Sequence, residues 1–245
     1  MNSEGCLFTR EQAEALVASR PRWYHRFEIF PGVWTPGVYD PGGALASLEL
    51  GEDLHGQRVL EIGPADGYFT KQLALRGAKV TAFDYVAKDF LGFAIMEKLH
   101  GAQFDFVRGN IYDLPKFNFP PVDLVLCMGV LYHLPDMVRG LHLLRDVCAG
   151  SVILETLVAT DLGEESRARY HPEASLNNDL TNFWSPNLAC VRSMLADVGF
   201  VLERDRILEQ GQSSGRAIFW CRKGAAGTKR TKTDIAYSQR LGSRA

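Results

Sequence analysis

The run Val59-Leu60-Glu61-Ile62-Gly63-Pro64-Ala65-Asp66-Gly67-Tyr68-Phe69-Thr70, followed by Val80-Thr81-Ala82-Phe83-Asp84, constrains this chain more than any other feature. Val59, Leu60 and Ile62 make a short apolar strand, and Gly63 and Gly67 let the backbone turn tightly where a helix opens with free N–H groups. Asp84 closes the next apolar run, where a carboxylate can accept hydrogen bonds from two ribose hydroxyls. Strand, glycine turn, helix and acid-ended strand together specify an α/β unit that holds an adenosine. The spacing narrows the ligand further. A dinucleotide loop reads G-x-G-x-x-G, whose second and third glycines admit a pyrophosphate, but Ala65 and Tyr68 stand at those places. E-x-G-x-x-x-G is a looser loop, suited to an adenosine without phosphates.

From this junction onward strands and helices alternate. Strands are expected near 58–63, 79–84, 103–107, 122–128, 150–157, 200–206 and 216–222, with helices near 67–76, 88–99, 136–148 and 187–198. Such alternation predicts a mostly parallel sheet covered on both faces, with ligands at the carboxyl ends of its strands. The short link Gln210-Gly211-Gln212-Ser213-Ser214-Gly215 makes the last two strands an antiparallel hairpin. Upstream, Thr9-Arg10-Glu11-Gln12 is a capping box for a helix ended by Pro21, and the Pro-Gly pairs at 31, 36 and 41 impose turns before a helix over 44–50. Residues 1–55 are thus an N-terminal extension or lid, 56–223 the ligand-binding domain, and 224–245 a basic tail expected to be disordered.

Two later segments carry chemistry. Gly109-Asn110-Ile111 follows the third strand, where Asn110 can meet an adenine amino group while Ile111 packs on the ring; a plain polar turn is the alternative. Met128-Gly129-Val130-Leu131-Tyr132-His133 follows the fourth strand. There Met128 and Gly129 offer backbone carbonyls, and Tyr132 and His133 are placed beside an acceptor, with His133 the candidate base.

The glycine loop resembles motif I of class I S-adenosylmethionine (SAM) methyltransferases, usually E/D-x-G-x-G-x-G, with Ala65 at the middle glycine. That resemblance implies a Rossmann-like seven-stranded sheet, SAM as cofactor, and a cofactor site of Glu61, Gly63, Ala65, Gly67, Asp84, Tyr85, Asn110, Ile111, Met128 and Gly129. Met128 to His133, Leu154-Glu155-Thr156-Leu157, Arg169-Tyr170, Asn182-Phe183-Trp184-Ser185-Pro186 and Val198-Gly199-Phe200 are more specific. They look like the family of tRNA wobble-uridine carboxymethyltransferase and its methyltransferase relatives, over about Phe27 to Trp220. In that family a carboxylated SAM is gripped by a tyrosine, an arginine and an N-terminal lysine. Tyr132 and Arg216 match the first two, but residues 1–70 contain no lysine, and Tyr24-His25 fall near its place. A carboxylate would then be underpaired, so plain SAM is the expected donor and carboxy-SAM the less favoured one. The extension, shorter than the tRNA enzyme's, likewise favours a small acceptor over RNA. Tyr24 and His25, with Trp23, Phe30, Trp34 and Tyr39, are lid candidates, and Glu155, Arg169, Tyr170 and Arg216 complete the expected substrate site. Glu155 either orients an acceptor or pairs with Arg169.

The expected activity is methyl transfer from SAM to a hydroxyl, amine or sugar group of a small molecule. The alternatives are a tRNA wobble-uridine modifying enzyme and a SAM-binding module without turnover. Composition removes other classes: with 245 residues, 46% of them hydrophobic, the chain can bury a full core, and a net charge of −2 gives no general attraction to nucleic acid. No apolar run reaches membrane-spanning length and no signal peptide opens the chain, so a cytoplasmic protein is expected. Five cysteines without C-x-x-C spacing point to free thiols rather than disulfides or a metal. Oligomeric state is left open.

Overall fold

The computed structural model describes residues 7–224; Cys6 and the expected disordered tail beyond Gly224 lie outside the described residues. The chain divides into two compact units, Met1–Phe117 and Asn118–Ala245.

In the first unit the capping box forms as expected, with Thr9 opening helix α1 (Arg10–Ala18). A small hairpin follows, β1 (Glu28–Phe30) and β2 (Val33–Trp34), turning at Gly32 with φ +72°. Helix α2 spans Pro41–Leu48, earlier than expected, because Asp40 caps it through the Gly42 amide and Pro41 already has helical φ. Strand β3 (Arg58–Ile62), helix α3 (Tyr68–Leu75), strand β4 (Lys79–Asp84), helix α4 (Phe93–His100) and strand β5 (Asp105–Arg108) then alternate, with the three strands parallel. Helix α4 starts later than the expected residue 88. The segment before it runs through bends and turns to Gly92, which packs so closely on Trp23 that a Cβ there would come within 2.0 Å of the ring. Apolar residues of α1, β1, β2 and α4, among them Ala13, Val17, Phe27, Ile29, Phe93 and Met96, form this unit's core.

The second unit contains β6 (Val122–Met128), a 3-10 turn (Leu131–His133), α5 (Met137–Val147), β7 (Cys148–Ala159), α6 (Leu188–Asp197), β10 (Phe200–Gln210) and β11 (Ser214–Lys223). An arm between β7 and α6 adds the short antiparallel pair β8 (Ala168–Tyr170) and β9 (Trp184–Pro186), which periodicity did not reveal because each is three residues long. Strands β6 and β7 run parallel, whereas β11 is antiparallel to both β7 and β10. The seven long strands form one sheet in the order β10-β11-β7-β6-β3-β4-β5, which is the class I methyltransferase arrangement with its C-terminal antiparallel hairpin. Among the described residues, no helix is long and apolar enough to cross a membrane.

Candidate functional site

The candidate residues form two groups, one in each unit. In the first, the chain leaves β3 through a loop in which Gly63, Ala65 and Gly67 all take positive φ, at 75°, 50° and 79°. Two of these positions suit glycine, while Ala65 holds a left-handed conformation that disfavours a side chain. The Gly63 amide donates to the Phe83 carbonyl at 2.9 Å, tying the loop to the end of β4. At Gly67 the left-handed φ of +79° favours glycine, and a Cβ there would also crowd Met96 Cε at 2.3 Å and Phe93 Cδ2 at 2.9 Å on α4.

Asp84 is buried, and its carboxylate accepts backbone N–H groups of Val86, Tyr85 and Ala65. Burial raises its pKa against those hydrogen bonds. The carboxylate therefore shapes the loop. Glu61 lies beneath, 2% exposed, and accepts the Thr70 hydroxyl. Burial, opposed by Thr70 and reinforced by the charge of Asp84, pushes the Glu61 carboxyl up to about 8. Asn110 turns its side-chain oxygen back to the Tyr112 amide at 3.0 Å, the polar-turn alternative, while Ile111 is buried and Tyr85 is exposed.

His25, expected beside an acceptor, is packed inside the first unit. It is 4% exposed, ringed by Tyr24, Tyr39, Tyr68 and Phe69, and burial lowers its pKa to about 3, so it is a neutral core group. Tyr24, stacked on Tyr39, remains partly exposed. The residue that organises this region went unnoticed in the sequence. Asp66, fully buried, accepts the amides of Tyr24 and His25 at 2.7 Å each on one oxygen and that of Gly92 at 2.8 Å on the other. The signal was an acid immediately before the last glycine of the loop, a place where a merely solvated side chain has no reason to be buried.

Glu61 carries a consequence for stability. Its folded pKa exceeds the unfolded value, so the folded state binds the extra proton between them and stability falls as pH rises from about 4.5 to about 8. Glu61→Gln should remove that slope, leaving the variant on the order of 2–4 kcal/mol less sensitive to the change from pH 5 to pH 9 in denaturant unfolding without ligand. Parallel pH curves for variant and wild type would refute the assignment.

In the second group, Met128 ends β6 and Gly129 turns with φ +67°. The Gly129 amide reaches both the Glu155 carbonyl, at 3.1 Å, and its carboxylate, at 3.0 Å. The Glu155 carboxylate also takes a bidentate pair of bonds from Arg216, at 2.6 and 2.7 Å, with both side chains largely buried. The guanidinium lies 5.6 Å from the centre of the Tyr132 ring and bonds its hydroxyl. Glu155 therefore pairs with Arg216 and not with Arg169, which instead meets Asp161 at 2.9 Å on the arm. Tyr170, also on the arm, is exposed and packs edge-on against Trp184. His133 stacks on Tyr132 at 4.1 Å, and its Nδ1 lies 3.0 Å from the Thr181 carbonyl. Among the described residues no cluster of His, Cys, Asp and Glu is arranged to hold a metal.

A family model described as a methyltransferase domain matches residues 42–204, a span that includes the glycine loop, Asp84, the Met128–His133 turn and Glu155. The chain belongs to this family. As a class I SAM-dependent methyltransferase by family and fold, it is similar over short stretches to several curated enzymes. A ubiquinone biosynthesis O-methyltransferase of Vibrio atlanticus is 36% identical over 36% of this chain and 38% of the relative. A tRNA U34 carboxymethyltransferase of Campylobacter lari is 26% identical over 61% of this chain and 51% of the relative. The methyltransferase thus spans between about two fifths and half of these relatives' length. Among solved structures, the N-terminal domain of EvdMO1, crystallised with SAH bound, superposes with a TM-score of 0.68 at 18% identity, covering 91% of this chain and 100% of that one. A Burkholderia thailandensis 1,6-didemethyltoxoflavin-N1-methyltransferase gives 0.56 at 18% identity, covering 76% and 77%.

In the first group the Gly63 and Gly67 amides bond the Phe83 and Pro64 carbonyls and the Ala65 amide bonds Asp84, while the buried Asp84 carboxylate at the end of β4 retains lone pairs beyond those its backbone bonds use, which is the acceptor chemistry that ribose hydroxyls of an adenosine would need.

Proposed function

We propose that this methyltransferase transfers a methyl group from SAM to a hydroxyl, amine or sugar group of a small molecule. In this reading Asp84 and the loop from Gly63 to Gly67 hold the adenosine with Glu61 beneath, Ile111 packs on it, and Met128 and Gly129 receive the methionyl end. Tyr132 and His133 face the acceptor, and residues 1–55, with Tyr24, contribute a lid. The bound cofactor supplies the electrophilic methyl group; the protein aligns the acceptor and, where the acceptor is a hydroxyl, removes its proton.

The observation that carries the donor assignment is the bidentate pair between Glu155 and Arg216. Arg216 is the cation that would grip a carboxylated donor, and its charge is already balanced by Glu155. No lysine stands in residues 1–70 to replace it, so a donor carboxylate would be desolvated without compensation. A small acceptor is consistent with the 1,6-didemethyltoxoflavin bound in the Burkholderia thailandensis methyltransferase. The relatives named tRNA U34 carboxymethyltransferase support a second reading, in which the acceptor is a tRNA wobble uridine.

Incubating labelled SAM with fractionated extract tests these readings. Label in small metabolites supports the first, label in RNA the second, and SAM binding with no label anywhere a module without turnover. For the cofactor site, Asp84→Ala should weaken SAM binding by roughly 1–3 kcal/mol, about 5- to 150-fold, because ribose hydroxyls lose their acceptor. Calorimetric affinity equal to wild type would take Asp84 out of the site.

A further inference from the structure

The His133 ring is held from one side by a chain of hydrogen bonds that the methyl-transfer reading does not use. Its Nδ1 lies 3.0 Å from the Thr181 carbonyl oxygen and 2.9 Å from the Thr181 hydroxyl. A carbonyl can only accept, so Nδ1 carries the proton. The Thr181 hydroxyl gives its own hydrogen to Asp179 Oδ1 at 2.7 Å, leaving a lone pair toward Nδ1–H, and the Thr181 amide donates to the same Asp179 oxygen at 2.8 Å. The segment is anchored to the turn that bears His133: the Phe183 amide donates to the Tyr132 carbonyl at 3.0 Å, and Trp184 Nε1 to the Pro135 carbonyl at 3.1 Å. Tyr132 packs on the other face of the arrangement, its ring centre 4.1 Å from that of His133.

We propose that Asp179 and Thr181 are positioning residues that hold His133 in its Nδ1-protonated form, so that Nε2 is the base for a weakly acidic hydroxyl, a phenol or an enol, on the acceptor. The inference rests on the methyl-transfer reading and narrows its acceptor class. Among the charged and titratable groups near the ring, Asp179 raises its pKa and Arg216 lowers it, and Tyr132 touches both the guanidinium and, at a tilt, the imidazole. Burial is the largest influence and keeps the imidazole below its ordinary value, neutral and with its Nε2 lone pair available. Such a base matches some acceptors better than others. A neutral amine needs no base, and an aliphatic alcohol, near water at about 15.7, lies more than nine decades from an imidazole held below its ordinary value of about 6.5. A phenol at about 10 lies nearly six decades closer than the alcohol, within reach of concerted proton removal.

The step balances. The acceptor oxygen forms a bond to the methyl carbon as the methyl–sulfur bond breaks, the bonding pair staying on sulfur to leave a neutral thioether. The hydroxyl proton passes to His133 Nε2, and the resulting imidazolium, steadied through Thr181 by Asp179, returns it to water.

The test has two independent readouts. Nitrogen-15 NMR of the full chain with labelled histidine should show His133 protonated on Nδ1 at pH 7; an Nε2-protonated ring overturns the positioning role whether or not turnover is seen. In parallel, phenols, aliphatic alcohols and amines are offered with labelled SAM, and SAM affinity is titrated separately. Phenols or enols should be methylated, with His133→Gln and Asp179→Asn each lowering turnover about tenfold or more at unchanged SAM affinity. Asp179→Asn should also move the acid limb of the pH–rate profile downward. SAM binding with turnover confined to amines or aliphatic alcohols, or with no phenol or enol methylated, overturns the acceptor class. An acid limb unmoved in Asp179→Asn overturns the relay. Failure to bind SAM at all instead defeats the underlying reading, and the NMR result still decides the tautomer.

Discussion

Asp66→Ala is expected to lower the unfolding free energy by roughly 3–5 kcal/mol, the largest single-site loss expected in the first unit. The carboxylate accepts three backbone amides, from Tyr24, His25 and Gly92, and each charge-assisted bond contributes about 1.5–3 kcal/mol before the cost of burying the acid is subtracted. Removing it leaves those amides without this acceptor, and the bonds from His25 and Gly92 are buried ones. Asp66→Asn retains one acceptor oxygen but presents an NH2 group to donors on the other side, so an intermediate loss is expected. Denaturant unfolding monitored by tryptophan fluorescence checks both. A loss below about 1 kcal/mol for the alanine variant would mean that these amides find other partners.

The Glu155–Arg216 pair should have the next largest effect. Arg216→Ala leaves Glu155, 2% exposed at its side chain, with only the Gly129 amide, and a cost of about 3–5 kcal/mol follows. A double variant with Glu155→Leu should recover most of it, since removing both charges abolishes the unpaired one. A functional consequence goes with the energetic one. Wild type is expected to bind SAM at least as tightly as carboxy-SAM, whereas Glu155→Gln releases the Arg216 charge and should shift the ratio toward carboxy-SAM by tenfold or more, about 1.4 kcal/mol. Titration of both donors against both proteins decides this. Preference for carboxy-SAM in the unaltered chain would return the donor to the tRNA-enzyme type.

Much of this was legible before any coordinates, for identifiable reasons. The apolar runs at 58–62 and 79–84 and the glycines between them are local signals, and β3, α3 and β4 formed where expected. Helix α4 began late because its start is decided by Trp23 and Asp66, both distant in sequence. The same distance hid the role of Asp66, whose partners lie 42, 41 and 26 residues away. The burial of His25 was not legible because an aromatic-rich segment reads equally well as a lid or as packing. The partnership of Glu155 with Arg216 depends on the register of β7 against β11, where Ile218 stands opposite Glu155 and Arg216 opposite Leu157. Thr181 and Asp179 sit in an irregular arm with no periodicity to reveal them.

The two outer strands of the sheet bear on how copies of this protein can meet. At one end β5 is only four residues long and is bracketed by Asp105 and Arg108. At the other, β10 is long but carries Glu203, Arg204, Asp205, Arg206 and Glu209 along its length. An incoming strand would have to lay its side chains against alternating charges on β10 or settle for a few bonds on β5. Both borders are thereby guarded against edge-to-edge aggregation, and self-association through sheet extension is disfavoured by the chain itself.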